Sequence, residues 1–349
     1  MIRLQRSMLE GLTGPAITPQ TVCASLQQAI ELEHATIPPY LYALYSLDTA
    51  KNAAIAQIIQ SVVLEEMLHM TLSSNVMNAL GGSPDIDKPG FVPTYPGPLP
   101  GGVEADLTVN LAPFSMTQLQ TFLQIESPAD PLVYKSTAMA EMVSKTITIG
   151  EFYTAISDAI GQLGDSAFID PPRNQIGPEI MPGAIVVTDV ASAQQAISVI
   201  IEQGEGTSAS PEDGDGEVAH YYRFMQIQKG HLLVPVPGSN PPTYAYTGAP
   251  VPFDPTGVYA VPTNPGVPPG YPIGSAQAFA NDNFNYTYAS LLISLHAMFN
   301  GDNSQQQFNQ AIGVMMSLKG QAKAMMAGIP NPAVLTGPSF QFQPVNPPS

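Results

Sequence analysis

LEEMLHM, at residues 64–70, places two carboxylates and an imidazole inside a stretch that otherwise has the apolar spacing of a buried helix. Around it, apolar residues recur in steps of four and three, which is the pattern of one helix face. That face comprises Ile55, Ile59, Val62, Glu66, His69, Ser73, Val76 and Leu80. Glu66 and His69 therefore occupy the centre of a predicted core face, whereas Glu65 falls off it and is expected to be solvated.

The preceding segment has the same spacing and a carboxylate of its own. Its core face comprises Leu26, Ile30, Glu33, Ile37, Tyr40, Leu44 and Leu47, and leaves Glu31 outside. The two predicted helices meet near residues 48–51. Glu33 precedes that turn, and Glu66 follows it, by an equal number of residues, so each lies about 22 Å from the turn at about 1.5 Å per residue. In an antiparallel hairpin the two carboxylates should face each other.

Two ionised carboxylates buried side by side need a compensating cation. A shared metal ion would supply one, and His69, one helical turn from Glu66, would add a nitrogen ligand. The alternative is a mutually paired Glu and His, with a proton shared between the carboxylates. The shared height on two helices favours the metal.

Two later segments extend the pattern. TIGEFYTAISDAI, at 148–160, carries Glu151 near the start of a predicted helix, where an acid is also favourable for the helix itself. GEVAHYYRF, at 216–224, places Glu217 three residues before His220. Di-iron and di-manganese bundles take their ligands from four helices, and the predicted helices carry the same set in order: Glu, Glu-x-x-His, Glu and Glu-x-x-His.

The carboxylate of the fourth helix has two candidates. Counted from Asp189, the returning helix reaches the level of Glu151 near IIEQGEG, at 200–206, which contains Glu205. The Gly/Ser/Asp-rich stretch 206–216 would then loop out before the helix resumes at His220. The spacing leaves open whether Glu205 or Glu217 is the ligand.

The remaining sequence predicts an all-α protein with long Pro-rich loops. Helices are expected over 18–48 (kinked at Pro38-Pro39), 52–80, 115–124, 148–163, from 189 with a restart near 217, 276–299 and 304–326. AIVV at 184–187 is strand-like, and 235–272, with 12 of the 36 prolines, is expected to lack regular structure. We expect four parts: an N-terminal extension (1–17), the metal-binding bundle (18–230), a Pro-rich surface wrap (231–275) and C-terminal helices with a tail (276–349).

Composition limits the classes of partner. The chain has 349 residues, 44% hydrophobic and 11% charged, with a net charge of −17, which argues against nucleic acid and anionic membranes. One cysteine, Cys23, excludes an intramolecular disulfide and a site of several thiolates. The start of the sequence lacks the apolar core of a secretory signal, so a cytoplasmic protein is expected.

Other candidate side chains receive weaker roles. Tyr40, two turns from Glu33, is expected to pack in the core, and is the one candidate for a catalytic role, through a hydrogen bond to a ligand or its own oxidation. His34, His231 and His296 fall off the ligand faces and are expected to be structural or at the surface. His296 has the further option of reaching a substrate pocket.

Several stretches together resemble a known family: AIELEHATIPPYLYALYSLD (29–48), LEEMLHMTLSSNVMNALGG (64–82), TIGEFYTAI (148–156), EQGEG (202–206) and AHYYRF (219–224). They are similar to the ferritin-like family that includes the C-terminal domain of the violacein-pathway iminophenyl-pyruvate dimer synthase. The resemblance covers about 18–230 and implies a four-helix core with a di-metal site. By matching positions it implies the ligands Glu33, Glu66, His69, Glu151 and His220, and gives Glu205 weight beside Glu217.

Three functions follow as hypotheses. The first is a non-haem di-metal oxidoreductase with two divalent ions, of which iron is favoured and manganese or zinc are alternatives. It would act with oxygen or peroxide on a small organic substrate, such as an amino-acid-derived imine of secondary metabolism. The large N-terminal part of the pathway synthase has no counterpart here, so its imine coupling is not carried over directly. The second is iron or peroxide handling without organic substrate, and the third is a structural module. A homo-oligomer is left open.

Overall fold

The computed structural model describes residues 4–101, 107–128, 146–207, 210–329 and 335–343. Within these ranges the chain forms eight α-helices: α1 (Pro19–Tyr45), α2 (Ala53–Ala79), α3 (Met116–Ile125), α4 (Ile149–Leu163), α5 (Val190–Glu205), α6 (His220–Lys229), α7 (Ala276–Phe299) and α8 (Gln305–Ala327). Two antiparallel pairs of short strands join β1 (Leu4–Gln5) to β2 (Thr146–Ile147) and β3 (His231–Pro235) to β4 (Tyr244–Pro250). The predicted all-α class is confirmed.

The hairpin of α1 and α2 is the centre of the fold. The Thr18 side chain caps α1 by accepting the N–H of Thr21, and α2 ends before Gly81, whose φ of +84° few other residues adopt. Both helices lie within three residues of their predicted bounds. Their apolar faces are buried against each other, and Glu33 and Glu66 are buried with them, at 7% and 2% exposure.

The proline pair does not end α1, which continues through Pro38 and Pro39. Pro39 has no N–H, so the carbonyl of Ala35 loses its helical partner. The Tyr95 hydroxyl donates to that carbonyl at 2.7 Å. A side chain from a distant loop therefore supplies the hydrogen bond that the sequence of the helix removes.

Helices α4, α5 and α6 complete the bundle around α1 and α2, with α4 against α1 and α5, and α6 against α2, α3 and α5. The fourth helix of the prediction is two helices, α5 and α6, separated by a loop. It restarts at His220, because 213–217 form a turn in which the N–H of Asp213 donates to the carbonyl of Glu217.

Two local predictions are wrong. AIVV at 184–187 is not a strand, because side chains satisfy its backbone: Asn75 donates to the Ile185 carbonyl, and the Val187 N–H donates to Gln175. The Pro-rich segment 235–272 does contain regular structure, because β4 pairs with β3. Its prolines stand mostly outside the seven residues of β4, which has a proline only at its last position.

Helices α7 and α8 form an antiparallel hairpin that packs on α2 and α1. The segment 335–343 lies on α7, where Asn281 accepts the N–H of Ser339 and Asn285 accepts that of Gln341. Across the described ranges, every helix is too short or too polar to cross a membrane.

Candidate metal centre

Two overlapping groups of side chains converge in the middle of the bundle. Glu33 of α1 meets Glu66 and His69 of α2, and Glu66 also meets His220, the first residue of α6, and Glu126, which follows the last residue of α3. Within each group the donor atoms lie within 4.8 Å of one another. The imidazole rings of His69 and His220 stack with centroids 5.4 Å apart. Glu66 belongs to both groups and stands between them.

Both imidazoles present the Nδ1 atom to the carboxylates. His69 Nδ1 lies 3.5 Å from Glu33 Oε2 and 3.8 Å from Glu66 Oε2. His220 Nδ1 lies 3.1 Å from Glu66 Oε1 and 3.5 Å from Glu126 Oε2. Each group therefore has one imidazole nitrogen, one carboxylate of its own and one oxygen of Glu66.

The Nε2 atom of each imidazole has an acceptor outside the groups. Gln203 Oε1 of α5 lies 3.0 Å from His69 Nε2, and Glu65 Oε2 lies 3.0 Å from His220 Nε2. Arg223 in turn donates to Glu65 Oε1 at 2.7 Å. An acceptor at Nε2 holds one proton there, so that the neutral ring turns the Nδ1 lone pair inward, as metal-ligating histidines require. Glu65, expected to be solvated, is thus part of the support of His220.

Two tyrosines hold the outer carboxylates. Tyr153 of α4 donates to Glu33 Oε1 at 2.5 Å, and Tyr40 donates to Glu126 Oε1. Burial and the neighbouring carboxylates raise the pKa of both phenols well above its ordinary value, so both remain protonated donors. Tyr40 is therefore both a core residue and a hydrogen-bond partner of the centre.

Without metal, protons balance the charge of the buried acids. Burial, followed by the charges of Glu126 and Glu33, raises the pKa of Glu66 to about 7. Burial opposes ionisation of Glu33 as well, but the hydrogen bond and charge of His69 outweigh it and lower its pKa to about 2. Burial also opposes the charged form of His69, yet its carboxylate neighbours raise its pKa to about 9. Below about pH 7 the metal-free centre therefore holds a proton on Glu66 and pairs an ionised Glu33 with a charged His69.

The donor set fits two divalent ions. In the described part of the chain, Glu66 Oε2 and His220 Nδ1 are buried, and neither makes a hydrogen bond of regular geometry, although each has a charged neighbour. Buried polar atoms without partners are rare and costly in folded proteins. Carboxylate oxygens and imidazole nitrogens are donors that suit iron, manganese and zinc. Glu33, Glu66 and His69 could hold one ion, and Glu66, Glu126 and His220 the other.

A small cavity of about 40 Å³ opens onto these donors. Its apolar wall comes from Leu32, Ile125, Ile149, Ile200 and Ile201, and its polar wall includes Glu205. Glu205 lies outside both groups, and its Oε1 accepts the N–H of Gly150 at 3.0 Å, at the start of α4. The cavity has room for a few atoms beside these donors.

Two of the sequence candidates lie elsewhere. Glu151 is exposed and caps its own helix: its Oε2 accepts the N–H of Thr148, and its N–H donates to the Thr148 hydroxyl. Glu217 is exposed in the loop before α6, where its N–H donates to Asp213. The structure therefore does not bring Glu151 and Glu217 to the other candidates. Of the two alternatives for the fourth helix, Glu205 is the one that lines the cavity.

Sequence reasoning missed Glu126, Tyr153, Gln203 and Glu65. Glu126 had the clearest signal, since it follows the amphipathic segment Leu119–Phe122–Leu123–Ile125 in a chain with few charges. Tyr153 occupies the inward position on α4 that was assigned to Glu151. The T-x-x-E pattern of Thr148 and Glu151, a capping box, indicated that Glu151 stays at the helix start.

The other histidines lie outside the centre. His34 is buried, with its Nε2 atom 2.6 Å from the Tyr288 hydroxyl, and burial lowers its pKa to about 3. His231 Nδ1 lies 3.0 Å from the Gly248 carbonyl in the β3–β4 hairpin. His296 Nδ1 lies 3.5 Å from Asp87 Oδ1 on the surface, and His296 does not belong to the described lining of the cavity.

Glu65→Gln should weaken metal binding about ten-fold, because outer partners of ligating histidines contribute this much and the substitution removes the charge between His220 and Arg223. The measurement is a competition titration against a coloured chelator. Glu31→Gln is the matched control, since Glu31 contacts Gln27 on the outer side of α1. Equal affinities of the two variants would contradict a supporting role for Glu65.

The model of the ferritin-like family matches residues 26–229, which include the whole centre. The chain belongs to the ferritin-like family. The family and fold expected from the motifs are thereby confirmed. A crystal structure of a ferritin-like protein from Caulobacter vibrioides is similar with a TM-score of 0.65 and 25% identity, covering 93% of this chain and 99% of that one.

This ferritin-like chain is also similar in sequence to part of a synthase. Dichlorochromopyrrolate synthase of Lentzea aerocolonigenes is 22% identical over 264 residues, which are 61% of this chain and 25% of the synthase. The match thus spans about a quarter of that relative. The relative is named for a synthase reaction.

Proposed function

We propose that this ferritin-like protein is a di-metal oxidoreductase, with iron as the favoured metal, that uses oxygen or peroxide to oxidise a small organic substrate of secondary metabolism. The observation that carries the proposal is the pair of donor groups sharing Glu66, with an imidazole nitrogen facing inward in each. The likeness to dichlorochromopyrrolate synthase supports the substrate class, an amino-acid-derived imine being the specific candidate.

Two redox-active ions would supply and take up electrons in the reaction, so that a two-electron oxidation of the substrate balances reduction of one peroxide to two waters. The residues of the chain keep the donors in place. Tyr153 and Tyr40 hold the outer oxygens of Glu33 and Glu126, and the partners at Nε2 fix both imidazoles. The aliphatic wall of the cavity keeps bulk water from the donors.

A second function is favoured by the size of the cavity. A volume of about 40 Å³ admits water, oxygen or peroxide, whereas an apolar cavity that binds benzene measures about 150 Å³. This observation favours iron or peroxide handling without organic substrate. A large hollow assembly, or formation of iron mineral on addition of ferrous iron, would support the second function.

One experiment separates the two functions. The protein is loaded without oxygen with two ferrous ions per chain and then mixed with peroxide, with and without an imine formed in place from an aryl-substituted 2-oxo acid and ammonia. Peroxide consumption and product masses are measured. The oxidoreductase is expected to consume peroxide in proportion to imine and to yield an oxidised or coupled product. Peroxide consumption limited by iron alone, with the imine unchanged, would rule out this substrate class.

A further inference from the structure

The α7–α8 hairpin has an outward face that carries large exposed apolar side chains. On α7 these are Phe279, Tyr286 and Ile293, at 71%, 38% and 41% exposure. They are spaced by seven residues, so they form one stripe along the helix. A surface helix of a monomer normally has polar residues at the centre of its exposed side. The stripe is therefore a ridge of the kind that packs against another helix.

The neighbouring helix α8 has a groove beside this ridge. Gly313 and Gly320 are also seven residues apart, and a Cβ atom added to either would have no neighbour within 4 Å. A glycine inside an exposed helix costs about 1 kcal/mol relative to alanine, and nothing in the described chain requires either of them. Glycines on a helix face allow a second helix to approach closely.

The ridge and the groove lie on adjacent helices and overlap in height. Gln321 of α8 donates to Thr287 of α7 at 2.9 Å, and Gln307 of α8 donates to the carbonyl of Ser294 at 3.2 Å. At about 1.5 Å per residue, these bonds place Tyr286 within one helical turn of Gly320. They place Ile293 within about a turn and a half of Gly313. α8 also exposes Ile312 and Met316 beside the glycines, at 37% and 60% exposure, so both helices are apolar on this face and the gaps lie only at the two glycines. Such a face can pack against its own copy after a two-fold rotation, with the ridge of one copy in the gaps of the other.

Charge and area also favour a second copy as the occupant. Residues 276–327 contain two acids, Asp282 and Asp302, and two lysines, Lys319 and Lys323, in a chain with a net charge of −17. The net negative charge makes two copies repel each other over most of their surface, whereas this face has equal numbers of acids and lysines and repels a second copy less. A face about 36 Å long and two helices wide covers about 700 Å². That area is close to the roughly 800 Å² per partner of stable interfaces.

We propose that a second copy of this chain packs on this outward face in a two-fold dimer, with Tyr286 and Ile293 of one copy against Gly320 and Gly313 of the other. The dimer does not depend on the metal centre or its chemistry, because α7 and α8 carry none of the donors.

Sedimentation equilibrium of the full chain over about 1–100 μM tests the proposal, a range that brackets dissociation constants of moderately stable dimers. The wild type is expected to have twice the chain mass of 36.9 kDa. Tyr286→Glu places a charge in the interface, and Gly320→Leu fills the groove. Each should raise the dissociation constant at least about ten-fold, since single contacts at the centre of an interface contribute this much.

Folding is monitored separately, by thermal melts. Gly320→Leu should leave the fold intact, because leucine favours a helix more than glycine does. Val236→Glu is the matched control: Val236 is 39% exposed, like Tyr286, but follows β3. Its dissociation constant should equal that of the wild type. A single-chain mass over the whole range, or dissociation constants unchanged in both interface variants, would overturn the proposal.

Discussion

Glu66→Ala is expected to reduce bound divalent metal from two ions per chain to one or fewer. Glu66 faces His69 with one oxygen and His220 with the other, so its loss removes a donor from both groups. Metal content after equilibration and gel filtration, measured by mass spectrometry, checks the expectation. A variant that retains two ions would contradict the assignment of Glu66 as the shared ligand.

Thermal stability should change mainly in the presence of metal. When the free ion is at a thousand times its dissociation constant, metal binding stabilises the folded state by about 4 kcal/mol. Glu66→Ala should lose most of this stabilisation by metal. In the metal-free protein, the destabilisation from the cavity that the side chain leaves is offset by the relief of electrostatic repulsion among the buried acids. The metal-free melting temperature should therefore move little, which separates loss of metal from loss of fold.

Glu151→Ala is the matched control for this experiment. Both residues were ligand candidates in the sequence, but Glu151 caps α4 at the surface. Its replacement should cost about 1 kcal/mol of stability, as loss of a cap does, and leave two ions bound. Loss of an ion from Glu151→Ala would show that α4 contributes a ligand after all.

The helices and the meeting of Glu33 with Glu66 were predictable because both depend on local periodicity. Steps of four and three define one helix face, and equal distances from the turn fix the height of the two carboxylates. Thr18 and Gly81 mark the ends of the hairpin through their own conformational preferences. These features need no knowledge of how distant segments pack.

Glu126 and the outer partners were not predictable in the same way. Glu126 reaches the centre because α3 packs on α6, and this placement depends on the path of a long connection that has no period. Gln203 and Glu65 act through hydrogen bonds to imidazoles on other helices. The choice between Glu205 and Glu217 depended on where α6 begins, which the turn at 213–217 decides.

Metal affinity is expected to rise steeply between pH 6 and pH 9. In the metal-free protein Glu66 holds a proton below about pH 7 and His69 holds one below about pH 9. Burial opposes the charged form of His220, but hydrogen bonds of its carboxylate neighbours raise its pKa well above the ordinary value, so this ring holds a proton as well. These protons must be released before the groups can bind a cation. The apparent affinity should rise at least about 100-fold per pH unit below pH 7, where Glu66 and the imidazoles release protons, and at least about ten-fold per unit from pH 7 to 9. Calorimetric titrations in buffers of different protonation enthalpy count the protons released.

The stability of the metal-free protein should change in the opposite direction. The folded-state pKa of Glu66 is raised from 4.5, and that of His69 from 6.5, so the folded state binds more protons than the unfolded state in this range. Stability is therefore lost as the pH rises through about 7 and then 9. Glu33, with a pKa lowered to about 2, contributes the reverse dependence only below about pH 4.5.

Two variants identify the titrating groups. Glu66→Gln cannot ionise, so the loss of metal-free stability that Glu66 causes in the wild type between pH 5 and 7 should be absent, while the fall toward pH 9 from His69 remains. His34→Gln should match the wild type from about pH 6.5 to 9 but lose less stability toward pH 5, because burial lowers the pKa of His34 from 6.5 to about 3 and only the unfolded state gains a proton there. A metal-free melting temperature that stays constant from pH 6 to 9 in the wild type would mean that cations other than protons already balance the buried acids.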